Sequence, residues 1–197
     1  MTSTPTSTPL DRARHATGAP RPAADATTRD GEGAAVPTLC GDIDMRIGRD
    51  GTWFYHGSPI GRKPLVKLFA SVLRRDESGD FWLITPVEKA RIQVDDAPFV
   101  AVEMNARGSG RDQVLTFRTN IDEHVTAGRD HPLRVALDPV TAEPAPYIHV
   151  RDGLEALIAR AVFYDLVELG VEDPGSGILG VWSGGVLFPF GPVGDGV

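Results

Sequence analysis

The 197-residue chain has a single cysteine and no long apolar run. With Cys40 alone no intramolecular disulfide can form, and so low a cysteine content is typical of the reducing cytosol. No apolar stretch approaches the roughly 18–20 residues that a membrane-spanning helix needs. The N-terminus also lacks the apolar segment of a secretory signal. We therefore expect a cytoplasmic protein that does not bind membranes.

Basic residues and metal-ligand motifs are also scarce. The chain has 20 Lys and Arg against 27 Asp and Glu, a net charge of -7 that disfavours general binding to nucleic acids. Its five histidines never occur with H-x-x-x-H spacing. The run Gly175–Gly180 matches G-x-G-x-x-G, but it follows a predicted helix instead of a strand. We expect neither a metal nor a nucleotide cofactor.

Three segments differ in composition. Residues 1–38 are rich in Thr, Ser, Pro and Ala and poor in large aliphatic residues, which predicts a disordered tail. The chain is 41% hydrophobic overall, and in residues 39–110 and 111–197 the hydrophobic residues recur in periodic patterns. These patterns predict two folded halves.

The first half begins with a hairpin pattern and continues with a helix. Apolar residues alternate from Ile43 to Ile47, and Trp53 begins a return strand after the turn signal of Asp50-Gly51. A helix is predicted from Arg62 to Arg75, because its apolar residues follow the spacing of one buried face. These residues are Leu65, Leu68, Phe69, Val72 and Leu73. A short strand follows over 81–84, and further strands are predicted beyond residue 110, among them 114–119 and 133–137.

The second half repeats this order. A strand over 145–150 precedes a helix predicted from Asp152 to Leu169, with Asp152 as its N-cap. The helix has the same apolar spacing at Leu154, Leu157, Ile158, Ala161 and Val162. Two strands joined through Ser183-Gly184-Gly185 complete it. The recurrence predicts an α+β fold of two similar strand–helix–strands repeats, each an antiparallel sheet covered by one helix.

Some polar residues stand out as candidate binding residues. Lys63, Lys67 and Arg74 share one face of the predicted first helix, which is either a solvated face or a site for an anionic ligand. His56 and His149 precede the two predicted helices and could form one polar site between the halves. Asp165 falls on the apolar stripe of the second helix, where it would need a cationic partner.

Two stretches carry a family resemblance. LVKLFASVLRRDESGDFWLITPVEKARIQVDDAPFVA and YIHVRDGLEALIARAVFYDLVELG, followed by GVWSGG, resemble the bacterial family called Domain of Unknown Function 1285 over residues 42–191. The resemblance implies repeated strand–helix–strand motifs and no established activity, with a suggested role in signal transduction. It implies surface or cleft positions at His56, Arg62, Lys67, Thr85, Glu88, His149, Arg151 and Trp182.

The leading hypothesis from the sequence is a non-enzymatic binding or regulatory protein. Its ligand would be a small anionic molecule or a protein partner, bound in the concave region between the halves. The alternative is an enzyme in which His56 or His149 acts in acid–base chemistry with Glu88 or Asp165. A third hypothesis is a homo-oligomeric scaffold that associates through exposed sheet edges or through the Gly-rich C-terminus.

Overall fold

The computed structural model describes residues 37–138, 142–173 and 177–192 of the chain. Of the tail predicted over residues 1–38, residues 1–36 therefore lie outside the described residues. The first strand, β1, begins at Thr38, one residue before the predicted start of the folded part. No helix in the described ranges is long and apolar enough to span a bilayer.

Six of the described strands form a first sheet, called sheet 1. In chain order they are β1 (Thr38–Ile47), β2 (Trp53–Tyr55), β3 (Ser58–Pro59), β4 (Leu73–Arg75), β5 (Phe81–Ile84) and β6 (Glu88–Val94). Their order across the sheet is β3-β2-β1-β6-β5-β4. The predicted β1–β2 hairpin is confirmed, because β2 returns antiparallel to β1 and places Trp53 opposite Ile47 in the core.

Six further described strands form sheet 2. They are β7 (Phe99–Arg107), β8 (Val114–Thr119), β9 (His124–Thr126), β10 (Leu133–Leu137), β11 (Pro144–Arg151) and β12 (Leu154–Ile158). Their order across the sheet is β9-β8-β7-β12-β11-β10. If the strands of each sheet are numbered from one to six along the chain, both sheets have the order 3-2-1-6-5-4. The chain therefore has a β-rich fold of two similar repeats. We call sheet 1 with its helix the first repeat and sheet 2 the second repeat.

Each six-stranded sheet has one parallel pair at its centre. In sheet 1 this pair is β1 with β6, and in sheet 2 it is β7 with β12, while the other neighbours run antiparallel. The prediction of purely antiparallel sheets is therefore wrong. A parallel pair needs a crossover connection, and in the first repeat α1 (Lys63–Val72) lies within that crossover.

Two elements follow the second repeat. The helix α2 (Arg160–Glu168) leads into sheet 3, an antiparallel sheet of β13 (Val171–Asp173), β14 (Ile178–Ser183) and β15 (Val186–Pro192). The predicted hairpin across Ser183-Gly184-Gly185 is confirmed, with both glycines at positive φ. One apolar core joins side chains from sheets 1 and 2, both helices and sheet 3.

The first helix is shorter than predicted, and it turns a different face to the core. It begins at Lys63 and ends at Val72, so Leu73 and Arg74 belong to strand β4. Val66 and Ala70 are its buried residues, while the predicted core residue Leu68 is 60% exposed. Because the helix ends early, the residues that follow it can form β4 and pair with β5.

The second predicted helix is wrong over its first half. Residues 154–158 form strand β12, and Asp152 lies with Gly153 in a hairpin turn between β11 and β12. Both turn residues have positive φ, the conformation that an Asp-Gly hairpin turn adopts. Leu157 lies on the opposite face of β12 from the buried Leu154, Ala156 and Ile158, so the apolar residues match a helical spacing as well as an alternating one.

The boundary between the repeats lies in the short linker of residues 95–98 between β6 and β7. The predicted boundary at residues 110 and 111 falls instead in the connection between β7 and β8, inside sheet 2. The shared unit is thus the six-stranded sheet, because no described helix connects β9 to β10.

Candidate functional site

Two basic residues of α1 contact an acidic residue of the second repeat. The ammonium groups of Lys63 and Lys67 lie 2.8 and 2.9 Å from the two carboxylate oxygens of Asp122, which lies in the turn between β8 and β9. Their hydrogen bonds hold the pKa of Asp122 well below its usual range. Two members of the predicted basic face therefore join the repeats to each other.

This ion pair predicts a dependence of stability on pH. Because the pKa of Asp122 is lowered in the folded chain, its contribution is complete above the ordinary carboxyl pKa of about 4 and is lost as the pH falls. In urea unfolding near pH 7, Asp122→Asn should be less stable than wild type. The difference should shrink steadily below about pH 4. Asp165→Asn, at an exposed position of α2, is the control, and a difference for Asp122→Asn that persists unchanged in acid would contradict the assignment.

Arg151 makes a second connection between the repeats. Its guanidinium donates to the carboxylate of Glu123 and, at 2.9 Å, to the backbone carbonyl of Ala70 at the core side of α1. It also lies over the ring of Phe99, 5.1 Å from its centroid. Arg151 was a candidate cleft residue from the sequence, and its contacts are those of a structural link.

The third member of the predicted basic face lies apart from the helix. Arg74 is on β4, and it donates to the backbone carbonyls of Ser71 and Leu73. Arg62 precedes α1 and is exposed. The three residues Lys63, Lys67 and Arg74 therefore do not share a helical face, because the helix ends before Arg74.

The two candidate histidines lie in different repeats. His56 is exposed in the turn between β2 and β3, with Nδ1 3.1 Å from a carboxylate oxygen of Asp44. His149, on β11, contacts the backbone carbonyl of Asp130 and accepts from the amide of Gly153. Within the described ranges no hydrogen bond, ion pair or ring contact joins His56 to His149.

The remaining candidates are dispersed over the surface. The Thr85 hydroxyl accepts from the amide of Glu88 and closes the turn between β5 and β6. Asp165 is on the exposed side of α2 and not on its core face, because the helix starts later than predicted. Trp182, on β14, is half-buried beneath the guanidinium of Arg111, 4.9 Å from its ring centroid.

An apolar groove lies between α2 and strands β11 and β12. We call it the α2 groove, and its volume is about 650 Å³. Its apolar lining includes Pro146, Leu157, Phe163, Tyr164 and Val167. Tyr164 is 55% exposed and Val167 is 36% exposed, although both belong to a helix whose other face is buried. The groove thus presents apolar surface to solvent.

Charged groups occur at the rim of this groove. Arg49, from the first repeat, donates to Asp138 at 2.6 Å, and its Nε lies 3.4 Å from Asp96 in the linker. Arg160 donates through Nε to the hydroxyl of Tyr164 at 2.7 Å. The Arg49 contacts fix one wall of the groove against the first repeat.

A smaller polar cavity is lined in part by residues of the linker. We call it the linker pit; its volume is about 120 Å³, and Arg75, Phe81, Asp96, Arg134, Tyr147 and Glu155 line it. Tyr147 donates to a carboxylate oxygen of Asp96 at 2.7 Å. Arg134 donates to both oxygens of Glu155, at 2.7 and 2.6 Å, and its guanidinium lies 4.1 Å from the Tyr147 ring centroid.

The titration of Tyr147 argues against acid–base use of this phenol. Burial, together with the hydrogen bond to Asp96, raises the pKa of Tyr147 to about 12. A general acid or base works best when its pKa lies near the working pH. Tyr147 therefore holds its proton at neutral pH and serves as a hydrogen-bond donor.

Sequence reasoning missed both cavities. Arg49 and Asp138 are 89 residues apart, and Tyr147 and Asp96 are 51 apart, so no local spacing connects them. The sequence contained one weak signal for the groove. Tyr164 and Val167 are apolar residues of α2 in addition to its buried Val162 and Leu166, which indicates apolar surface beyond one core face.

Two family models match successive parts of the chain. Residues 35–97 match the N-terminal domain of a domain of unknown function, DUF1285, and residues 98–190 match the C-terminal domain of a protein of unknown function, DUF1285. The border between the two matches coincides with the linker between sheets 1 and 2. No curated protein matches the chain.

Two crystal structures are similar to this fold. A DUF1285 family protein from Silicibacter pomeroyi DSS-3 is 54% identical, with a TM-score of 0.76 over 83% of this chain and 90% of that one. A DUF1285 family protein from Shewanella baltica OS155 is 29% identical, with a TM-score of 0.51 over 64% of this chain and 91% of that one. On these matches, which also bear out the resemblance stated above, the chain belongs to the DUF1285 family.

Proposed function

We propose that this protein is a non-enzymatic binding protein and that the α2 groove receives a small, mainly apolar ligand. The observation that carries the proposal is the groove itself, about 650 Å³ with a predominantly apolar lining. Small-molecule sites typically have volumes of about 300–1,000 Å³, with apolar walls and a few placed polar groups. The groove has this size and this chemistry.

The rim charges favour an apolar ligand over a strongly charged one. Arg49 and Arg160 contribute positive charge, while Asp138 and Glu143 contribute negative charge to the same lining. Arg49 is also engaged by Asp138 and Asp96. Neither sign dominates, so affinity in the groove would come from burial of apolar surface.

A binding role is favoured over the enzymatic alternative by the positions of the candidate groups. Among the described residues, no hydrogen bond or ion pair joins His56 or His149 to Glu88 or Asp165. In that alternative a carboxylate would orient the histidine through a hydrogen bond, whereas His56 contacts Asp44, and His149 contacts the backbone of Asp130 and Gly153. We extend the proposal to a regulatory role in the cytoplasm. The family resemblance suggests that this role is in signal transduction.

The test uses a neutral apolar fluorophore, N-phenyl-1-naphthylamine, titrated into the full chain. Tyr164→Gln and Val167→Gln remove apolar groove surface without adding charge, and each should raise the dissociation constant of the probe about tenfold, which corresponds to about 1.4 kcal/mol. The matched controls are Tyr55→Gln and Val102→Gln. These residues have similar exposure, 49% and 40%, and do not line the groove.

Equal affinities in the groove variants and their controls would refute the groove as the site. Native mass spectrometry of the wild-type chain as purified provides the complementary result. An adduct that is lost in Tyr164→Gln would supply the identity of the ligand. An adduct retained in both groove variants would count against the proposal, since a ligand bound elsewhere would then explain it.

A further inference from the structure

The linker pit lies where the two repeats meet, and it is separate from the α2 groove. Arg75 and Phe81 come from sheet 1, Asp96 from the linker, and Arg134 and Tyr147 from sheet 2. Its lining is formed mainly by polar groups. What it can bind depends on which hydrogen-bonding groups its own contacts leave unused.

The acceptors of the pit are already engaged. Both carboxylate oxygens of Glu155 accept from Arg134. In Asp96, one oxygen accepts from the hydroxyl of Tyr147 and the other lies 3.4 Å from Nε of Arg49. Each carboxylate is therefore neutralised by an arginine, and every one of these four oxygens has a partner.

Donors remain unused. Arg134 donates to Glu155 through Nε and Nη2, and its Nη1 has no hydrogen bond to any described residue. Arg75 donates only through Nε, to the backbone carbonyl of Gly79 at 3.4 Å, and no carboxylate of the described part of the chain pairs with it. Its guanidinium is held over the ring of Phe81, 5.5 Å from the centroid.

We propose that the linker pit binds a small oxyanion, a carboxylate or phosphate group, through the guanidinium groups of Arg75 and Arg134. The unused hydrogen-bonding capacity of the two arginines consists of donors only, so the ligand must supply acceptors. The volume of about 120 Å³ suits a single carboxylate or phosphate group and is too small to enclose a whole nucleotide. The anion that the sequence led us to expect at α1 is thus assigned to the linker pit.

The experiment is an NMR titration of the full chain with inorganic phosphate or acetate at constant ionic strength, with chloride as the reference anion. Saturable shifts should appear for amides near Arg75, Arg134 and the linker. Arg75→Gln should weaken binding about tenfold or more, because it removes the charge and the paired donors. Arg75→Lys, which keeps the charge and loses the fork of donors, should fall between wild type and Arg75→Gln.

Arg74→Gln is the matched control. It replaces a neighbouring exposed arginine on the same strand that does not line the pit, and it should bind as wild type does. Saturation by acetate alone assigns the pit to carboxylates, and saturation by phosphate alone assigns it to phosphate groups. Linear shifts with both anions, or equal losses in Arg74→Gln and Arg75→Gln, would overturn the proposal.

Discussion

Gly51→Ala should lower the free energy of unfolding by about 2–5 kcal/mol, because it adds backbone strain to a clash with the second repeat. Gly51 lies in the β1–β2 turn with φ of +79°, a left-handed conformation that disfavours alanine by about 1–2 kcal/mol. An added Cβ would also lie 2.4 Å from Nδ2 of Asn120 in the second repeat. One of the two groups must move.

Movement of Asn120 would break two connections. Its side chain donates to the carbonyl of Gly51 at 3.1 Å and accepts from the amide of Val100 at 3.1 Å. Groups left without partners at this half-buried site cost about 1–3 kcal/mol. The substitution therefore adds the loss of a contact between repeats to the backbone strain.

Gly57→Ala separates these two causes. Gly57 has φ of +73°, almost the value of Gly51, but its added Cβ would meet nothing within 4 Å. We expect it to lose only the backbone contribution, about 1–2 kcal/mol. Urea unfolding of both variants measures the difference, and equal losses would show that Asn120 adapts without cost.

The β1–β2 turn links the repeats through two of its residues. Arg49 reaches the linker and Asp138, and Gly51 contacts Asn120. The sequence predicted a turn at these residues from the Asp50-Gly51 pair, which is a local signal. It could not predict the partners, because they lie in the other repeat and no alternation or spacing encodes them.

The bounds of several strands were predicted well. The strands over 114–119 and 133–137 were predicted with the bounds that the structure has. The error at β12 arose because Leu157 lies on its less buried face, so that Leu154, Leu157 and Ile158 also match the spacing of a helix. The Asp152-Gly153 pair was the better signal there, since Asp-Gly between two apolar segments favours a two-residue hairpin turn over a helix N-cap.

The contacts of the candidate site residues could not be predicted from the sequence. Lys63, Lys67 and Arg151 were selected for their charge, and each is engaged in contacts between the repeats. Charge in a sequence does not distinguish an internal ion pair from a ligand site, because the partner is chosen by the tertiary fold. The groups with unused donors, Arg75 and Arg134, could be recognised only after the carboxylates had been assigned to their partners.

Ser183→Ala should lower the free energy of unfolding by about 2–4 kcal/mol, because two backbone groups lose a buried partner. Ser183 is fully buried at the end of β14. Its hydroxyl accepts from the amide of Leu115 at 3.0 Å and donates to the carbonyl of Ala127 at 2.7 Å, so it connects sheet 3 to the second repeat. Alanine can replace neither bond.

Ser71→Ala is the control for this substitution, since Ser71 is exposed and its hydroxyl donates only to the carbonyl of Leu68 one turn earlier in α1. We expect a change within about 0.5 kcal/mol there. A serine-directed fluorophosphonate should also leave Ser183 unlabelled in the folded chain, because its hydroxyl is buried and already donates its proton. Labelling at Ser183, or equal stability of the two variants, would contradict a structural role for this serine.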